Sequence, residues 1–541
     1  MEILSSAEMG AVDRRTAEHF GVPLAKLMEN AGRAVAEFCL QQVPAAEHVL
    51  SLCGKGNNGG DGFVAARVLA VAGVEVAVLL LGREDEVKGE ATGALVRLCA
   101  EAPSVTITCV LDEAALAAAS GTVDSADLLI DAVVGTGFKP PLRGLPAALR
   151  QMVANSAAPV VAVDLPSGWD ADSTAQTAPD AFRADAVVTF TRPKSAHIFG
   201  HLTGATFGPV VVAEIGSPAA AIVSDGNLSW AGAAKSIAER PRNVNSNKGM
   251  YGHVLVVGGS YGTAGAPSMA SLAALRAGAG LVTAAVPKSI LELVAAVAPE
   301  LMLAPLHEGP EGAVSLENLA AENAVSLPAL LKAKRISVVA IGPGLSTKGE
   351  VPEFVRSFVA DCTLPMVIDA DALNAFAGQA NLLDGSGRTL VLTPHPGEMA
   401  RLIGLTIAQV EANRIHLARS FATEHKLTLV LKGWRTLIAH PDGRVAVNTS
   451  GNPAMAKGGS GDILTGIVAA LLAQFPQDVA RAVEAAVALH GLAADFAAHA
   501  MDEHTVLATD TLAHLSDAFR YRAKDADGMT WICGLNGVER G

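Results

Sequence analysis

The feature that most constrains this 541-residue chain is a rhythm that runs twice. Short apolar runs, "HVLSLC" (48–53), "VEVAVLLL" (74–81), "ADLLIDAVV" (126–134), "PVVAVDLP" (159–166) and "ADAVVTF" (184–190), alternate with stretches of helical period. The pattern restarts with "HVLVVGG" (253–259), "LVTAAVP" (281–287), "ISVVAIGPG" (336–344), "LPMVIDADA" (364–372), "TLVLTP" (389–394) and "LTLVLKG" (427–433). It closes in alanine-rich helical sequence over about 462–520. Continuous apolar strands separated by helices belong to mostly parallel sheets buried on both faces. The expected fold is α/β, with two tandem domains. Polar, turn-prone residues 221–240 read as a linker between 1–220 and 241–520, and the tail 521–541 shows neither helical nor strand period.

Composition narrows the function. Half of the residues are hydrophobic and only 4% aromatic, so the cores are built from Ala, Val and Leu. Forty basic residues stand against 54 acidic ones, a net charge of −14, which argues against a general grip on nucleic acid or an anionic membrane. Cys39, Cys53, Cys99, Cys109, Cys362 and Cys533 lack CxxC or zinc-ligand spacing and read as reduced core residues of a cytoplasmic protein. The first thirty residues mix acids with bases, unlike a secretory or transit leader, and no apolar stretch reaches spanning length. An alanine-rich surface favours a homo-oligomer.

The first glycine loop, "LCGKGNNGGDG" (52–62), follows a strand and precedes a helix. Gly54, Gly56 and Gly59 satisfy GxGxxG, which with Glu84 or Asp85 as ribose ligand would suit a Rossmann oxidoreductase. Asn57, Asn58 and Asp61 argue otherwise, because pyrophosphate binding does not need them and Asp61 adds negative charge. Such a loop suits a cation or a sugar as well. Asp131, at the end of one strand, and Asp164, Ser167 and Gly168 in "DLPSGWD", at the end of the next, extend the same chemistry. In an open parallel sheet these strand ends share one crevice.

"GKGNNGGDG", "DAVVGTGFKPPLRG" and "VDLPSGWD", in that order, resemble the signature of NAD(P)H-hydrate epimerase domains over about residues 1–215. That resemblance implies a Rossmann-like three-layer α/β/α domain in which Asn58, Asp131 and Ser167 hold K+. It places Asn57, Asn58, Gly59, Gly60, Asp61, Gly135, Thr136, Gly137, Phe138, Lys139, Pro140, Pro141 and Asp164 on substrate. Inversion at C6 of a hydrated nicotinamide needs acid–base help or ring opening, and Asp164 is the candidate acid/base. Lys194, in "RPKSAH", is an additional candidate.

The second glycine loop, "GNPAMAKGGSGDILTG" (451–466), is not a Walker A loop, since it lacks the second glycine and the hydroxyl after the lysine. A glycine cluster opening a helix is nevertheless a ready anion site, and Asp462 in its first turn reads either as a cap or as a base. The Gly-Gly-Ser-Gly-Asp turn resembles the ribokinase-like fold, where it forms an anion hole beside the base for an acceptor hydroxyl. "YGTAGAPSMA" (261–270), "AIGPGL" (340–345), "VIDADALN" (367–374) and "LTPHPGEMARL" (392–402) further resemble NAD(P)H-hydrate dehydratases.

The second resemblance implies that Ala266, Gly344, His395 and Asp462 face hydrated dinucleotide, with Asp462 catalytic. It puts Lys432, Gly433, Trp434, Arg435, Thr436 and Gly461 on the adenine nucleotide. It also implies ADP, accompanied by Mg2+, as the phosphoryl donor. The two halves together imply repair of NADHX and NADPHX by epimerisation of the R and S hydrates and dehydration of the S form. The alternatives are a Rossmann oxidoreductase fused to a ribokinase-like kinase, and a dinucleotide-sensing module.

Overall fold

The computed structural model describes residues 1–320 and 326–537. Its contacts divide the chain into two units, one from Met1 to Gly226 together with the described residues from Arg522 on, the other from Asn227 to Tyr521.

In the first unit, strands β1 (His48–Cys53), β2 (Glu75–Leu80), β3 (Thr106–Cys109), β4 (Leu128–Ala132), β5 (Val160–Val163), β6 (Ala186–Phe190) and β7 (Val210–Ala213) pair in parallel, in the order β7-β6-β5-β4-β1-β2-β3. Alternation along each strand feeds two cores. Leu128, Ile130 and Ala132 pack into one with the helices Leu24–Gln42, Asn57–Val71 and Glu90–Glu101. Leu129 and Val133 face the other, against Leu116, Leu149 and Val153 from the opposite helical layer. The strand order reverses between β1 and β4, the place where an open parallel sheet forms its ligand crevice.

In the second unit, β8 (Leu228–Trp230), β9 (His253–Val257), β10 (Leu281–Pro287), β11 (Met302–Leu306), β12 (Val338–Ile341), β13 (Met366–Ile368), β14 (Leu390–Leu392), β15 (Thr428–Leu431), β16 (Leu437–Ala439) and β17 (Val445–Val447) form one sheet. Its order is β11-β10-β9-β12-β13-β14-β15-β16-β17-β8, antiparallel only on the two sides of β16. The helix Ser460–Gln474 is buried on nearly all sides from Ile463 to Ala473, as its uninterrupted apolar sequence requires. Gly466 lets it approach the helix Gly265–Arg276 so closely that a Cβ there would overlap the carbonyl oxygen of Ala270.

Two sequence boundaries differ from the structure. The stretch 221–240 is structured from Leu228: β8 pairs with β17, and the 3-10 helix Ala231–Glu239 buries Ala231, Ala234 and Ile237. The tail beyond 521 has no period of its own, yet Thr530–Cys533 forms β18, antiparallel to β7 at the edge of the first sheet. Backbone pairing and one large side chain hold it: Trp531 is buried, lies 6.2 Å from the Phe38 ring and donates from Nε1 to Asp525 Oδ2 at 2.9 Å. The short strands β3, β7, β11, β16 and β17 were also missed, being too brief or too mixed to stand out from sequence. Of the cysteines, Cys39, Cys53 and Cys362 are buried, but Cys99 is exposed and Cys109 and Cys533 are half-buried, so the reading of all six as core residues is corrected.

Candidate functional site

At the crevice of the first sheet the helix Asn57–Val71 begins inside the glycine loop itself, with Asn57 to Asp61 in its first turns. Two glycines of the GxGxxG match, Gly54 and Gly59, are used for close packing, whereas a Cβ on Gly56 would meet open space. A Cβ on Gly54 would overlap the carbonyl of Val133, and one on Gly59 the carbonyl of Gly54. Gly60 lies against Met28. Gly59 and Gly60 therefore do not line the cavity, contrary to their expected place on substrate.

The cavity measures about 880 Å³ and is lined by Asn57, Asn58, Asp61, Gly135, Thr136, Gly137, Phe138, Asp164 and Lys194 among others. Lys139, Pro140 and Pro141 line a separate cavity of about 420 Å³, and Lys139 is engaged by Asp170 at 2.7 Å and Asp172 at 3.1 Å.

Asp164 follows β5 with φ 66°, a left-handed conformation that Asp tolerates better than most residues and that turns its side chain at the strand end. Lys194 Nζ donates to its Oδ1 at 2.7 Å, as does Thr189 Oγ1 at 2.8 Å. His197 accepts from Lys194 N at Nδ1, 3.0 Å, so its Nε2 donates to the Asp164 carbonyl at 2.5 Å. Burial, then the Lys194 ammonium, hold this imidazole neutral, with its pKa pushed down to about 4. Burial works to raise the Asp164 pKa, but Lys194 and the hydrogen bonds outweigh it and keep the carboxylate ionised.

Two more carboxyls face the same cavity without a hydrogen-bonding cation among the described residues. Asp61 is pushed well above the ordinary carboxyl range by burial and by the charges of Asp164 and Asp13. Asp13, from the helix Ser6–Phe20, is also raised, chiefly by burial, and its Oδ1 is shielded with no hydrogen-bond partner among the described residues. Sequence reading missed Asp13, which lies far along the chain from every glycine motif.

Asp131 and Ser167 meet at the base of the crevice. Ser167 N donates to Asp131 Oδ2 at 2.7 Å and Ser167 Oγ to Oδ1 at 2.6 Å, while Val134 N donates to Ser167 Oγ at 2.9 Å. Burial lifts the Asp131 pKa to about 6 against those bonds. Asn58 stands beside Gly135, where a Cβ would come 2.9 Å from Asn58 Oδ1, and its buried Nδ2 has no hydrogen-bond partner among the described residues.

In the second unit a cavity of about 760 Å³ lies between the turn after β15 and the glycine turn 458–461. Lys432, Gly433, Trp434, Arg435, Thr436, Gly461, His395 and Asp462 line it as expected from sequence. Ala266 and Gly344 do not. They stand against each other, Ala266 in the first turn of the helix Gly265–Arg276 and Gly344 just after β12, a Gly344 Cβ falling 3.1 Å from Ala266 Cβ.

Asp369 is the electrostatic hub of this cavity and was not singled out from sequence. It is 1% exposed and accepts from Lys432 Nζ at 3.0 Å, Thr393 Oγ1 at 2.8 Å and Thr465 Oγ1 at 2.8 Å. Burial would lower the Lys432 pKa, but Asp369 and Glu398 more than offset it and the ammonium is held above its usual value. Asp462 sits in the first turn of the helix Ser460–Gln474, whose N-terminus no side chain caps, so the cap reading of Asp462 is not realised. Burial and then Asp369 push its pKa to about 7, against the pull of Lys432. His395 caps the helix Pro396–Ile403 through Nδ1, which accepts from Gly397 N at 3.0 Å, and its ring stays half-exposed at the cavity.

Comparison with known proteins gives matches in both units. Residues 254–518 match the family model for NAD(P)H-hydrate dehydratase, and residues 24–196 match the model for the YjeF-related protein N-terminus. A bifunctional NAD(P)H-hydrate repair enzyme of Moorella thermoacetica is 41% identical over 526 residues, covering 96% of this chain and 97% of the relative. The counterpart in Escherichia coli is 35% identical over 507 residues, 93% and 91% of the two chains. Among solved structures, an ADP/ATP-dependent NAD(P)H-hydrate dehydratase from Bacillus subtilis, co-crystallised with ATP and Mg2+, is 30% identical with a TM-score of 0.45, covering 53% of this chain and 96% of that one. Since the alignments to full-length relatives run through both units and nearly from end to end of each partner, the chain belongs to the bifunctional NAD(P)H-hydrate repair enzymes.

Proposed function

We propose that the first unit interconverts the R and S hydrates of NADH and NADPH, and that the second returns the S hydrate to the reduced dinucleotide by phosphoryl transfer from ADP followed by loss of phosphate. Membership of the bifunctional family supports both activities. The observation that carries the residue assignment is Asp462: a carboxyl titrating near neutrality, beside an uncapped helix N-terminus and the buried Lys432–Asp369 pair.

In the dehydratase, Asp462 takes the proton of the C6 hydroxyl as its oxygen attacks the terminal phosphoryl of ADP, and AMP leaves. The backbone N–H groups of the glycine turn and the Lys432 ammonium stabilise the charge that builds on the transferring group. The ring nitrogen then expels phosphate from C6 and C5 loses a proton, which restores the dihydronicotinamide. Phosphorylation serves this step because phosphate leaves far more readily than hydroxide. Among the described residues no three His, Cys, Asp or Glu side chains gather to hold a metal. A magnesium ion would be carried on the nucleotide phosphates and offset their charge, beside the Lys432 ammonium that Asp369 and Glu398 already hold.

In the epimerase, the pairing of Asp164 with Lys194 supports a different part for it than acid. A carboxylate kept ionised stabilises the cationic ring that forms when the C6 hydroxyl leaves. Asp61 is the better proton carrier: it gives its proton to the departing hydroxyl, which leaves as water, and recovers a proton when water adds to the opposite face. Asp13 supports this by opposing ionisation of Asp61. The oxygens of Asn58, Asp131 and Ser167 suit a weakly held K+, and Asp131 is a buried carboxylate without a hydrogen-bonding cation. Bound there, potassium would neutralise that carboxylate and fix the 133–138 loop.

Mixed hydrated NADH supplied with ADP, with ATP or with neither tests the reading through recovery of reduced-nicotinamide absorbance. Full recovery with ADP, against half recovery in an Asp61→Asn variant, is the expected result while spontaneous epimerisation stays slow. No recovery with either nucleotide would refute the dehydratase.

A further inference from the structure

Ala370 lines the second cavity with φ 48°, on the left-handed side of backbone space that alanine rarely visits. It stands between Asp369, directly after β13, and Asp371, in the first turn of the helix Ala370–Asn374. A residue persists in such a conformation only where its surroundings hold it there. Here the end of β12 and the turn after it do the holding.

Both neighbours of Ala370 are gripped. On one side Asp369 N donates to Ile341 O at 3.0 Å, and Gly342, at φ 130°, packs so closely that a Cβ would overlap the Asp369 carbonyl oxygen. On the other, Ser346 N donates to Asp371 Oδ2 at 2.8 Å, and Ser346 is itself left-handed, with φ 74°. The Asp369 side chain, so placed, meets Lys432 and Thr393 through one oxygen and Thr465 through the other. Thr465 lies three residues from Asp462 on one face of the helix Ser460–Gln474, so Asp369 fixes at once the lysine and the helix that carries the base.

Resting on the dehydratase reading of this cavity, we infer that Asp371 is a positioning residue: its bond to Ser346 holds Ala370 in the left-handed conformation that aims Asp369 at Lys432 and Thr465. Asp371 does not line the cavity, and it acts through Asp369. Its charge ranks behind burial, Asp369 and Lys432 among the influences on Asp462. The bond to Ser346 needs an acceptor and not a charge, so the amide oxygen of an asparagine can make it. A glycine at 370 would adopt the left-handed conformation without steric cost, which relieves the strain and widens the range of backbone angles open to the turn. A relaxed turn lets Asp369 drift from Lys432, and a displacement of about 1 Å in such a site is enough to cost about a hundredfold in rate.

Dehydration kcat at saturating ADP, melting temperature and epimerisation, all measured on the full chain in the parent, Asp371→Ala, Asp371→Asn and Ala370→Gly, test this. Asp371→Ala is expected to lower the dehydration kcat about ten- to a hundredfold with epimerisation at the parent rate, and Asp371→Asn to recover most of the loss. Ala370→Gly is expected to melt no lower than the parent and yet to lose about tenfold in kcat, a result that a purely structural role for the turn would not give. A parental kcat in Asp371→Ala or in Ala370→Gly overturns the assignment, as does an Asp371→Asn variant as slow as Asp371→Ala. If Asp371→Ala does not fold, Ala370→Gly decides. A parent that dehydrates with neither ADP nor ATP removes the dehydratase reading, whereas parental dehydration that Ala370→Gly leaves unchanged removes only this inference.

Discussion

Lys194 Nζ stands 2.7 Å from Asp164 Oδ1, with the two side chains only 2% and 10% exposed. Removing one partner of such a pair strands a buried charge. Lys194→Met is expected to destabilise the first unit by about 3–5 kcal/mol and to abolish epimerisation. The double variant Lys194→Met/Asp164→Asn recovers most of that stability but not the activity, because Asn tolerates the left-handed backbone and carries no charge. Denaturant titration of both variants checks this. Because the Asp164 pKa is lowered on folding, its stabilisation is present above the ordinary carboxyl value of about 3.9 and is lost as pH falls below it.

Asp462→Asn should lower dehydration by about 10²–10⁴ while nucleotide binding survives, measured by turnover and by calorimetry with ADP. In the parent, kcat/KM should rise as pH passes through about 7, since the base works only when ionised. Stability runs the opposite way. A carboxyl raised by folding binds a proton that the unfolded chain has already released, so its contribution to stability declines from the ordinary carboxyl value up to about 7.

Gly59→Ala puts a methyl against the Gly54 carbonyl and is expected to cost about 1–3 kcal/mol, seen as a lower melting temperature with or without potassium. Asn58→Ala should leave melting nearly unchanged in a potassium-free buffer but remove the potassium dependence of epimerisation. Equal melting losses in both variants would deny Asn58 a ligand role.

Trp531→Ala removes a buried ring from the core beside Phe38 and should destabilise the first unit by about 3–5 kcal/mol. Ending the chain at Tyr521 goes further, since it exposes the β7 edge. Both changes are expected to reduce epimerisation and leave dehydration with ADP near the parent rate, which separate assays of the two activities would reveal.

Much of the fold was legible because burial on both faces leaves a local mark. Runs such as "HVLVVGG" and "PVVAVDLP" are apolar where parallel strands need them to be, and glycines follow where the backbone must turn. Strands β16, β17 and β18 left little such mark, being three or four residues long and held mainly by their neighbours. In the candidate sites, Asn58, Asp131, Asp164 and Asp462 could be picked out because each sits at a strand end or helix start. Asp13 carries no local signal of that kind, whereas Asp369 does, since it directly follows β13 and precedes the helix Ala370–Asn374.

The sequence by itself determined the two sheets, the position of each glycine turn and the family to which both halves belong. Only the tertiary structure decided which carboxyls are pushed up in pKa and which are pulled down. Asp164 and Asp61 are both aspartates beside one cavity, yet a lysine thirty residues along the chain holds the first below its ordinary pKa while burial and two neighbouring acids push the second well above it. Local backbone preference can be read residue by residue, but the free energy of a buried charge is set by whatever the fold brings within a few ångströms of it.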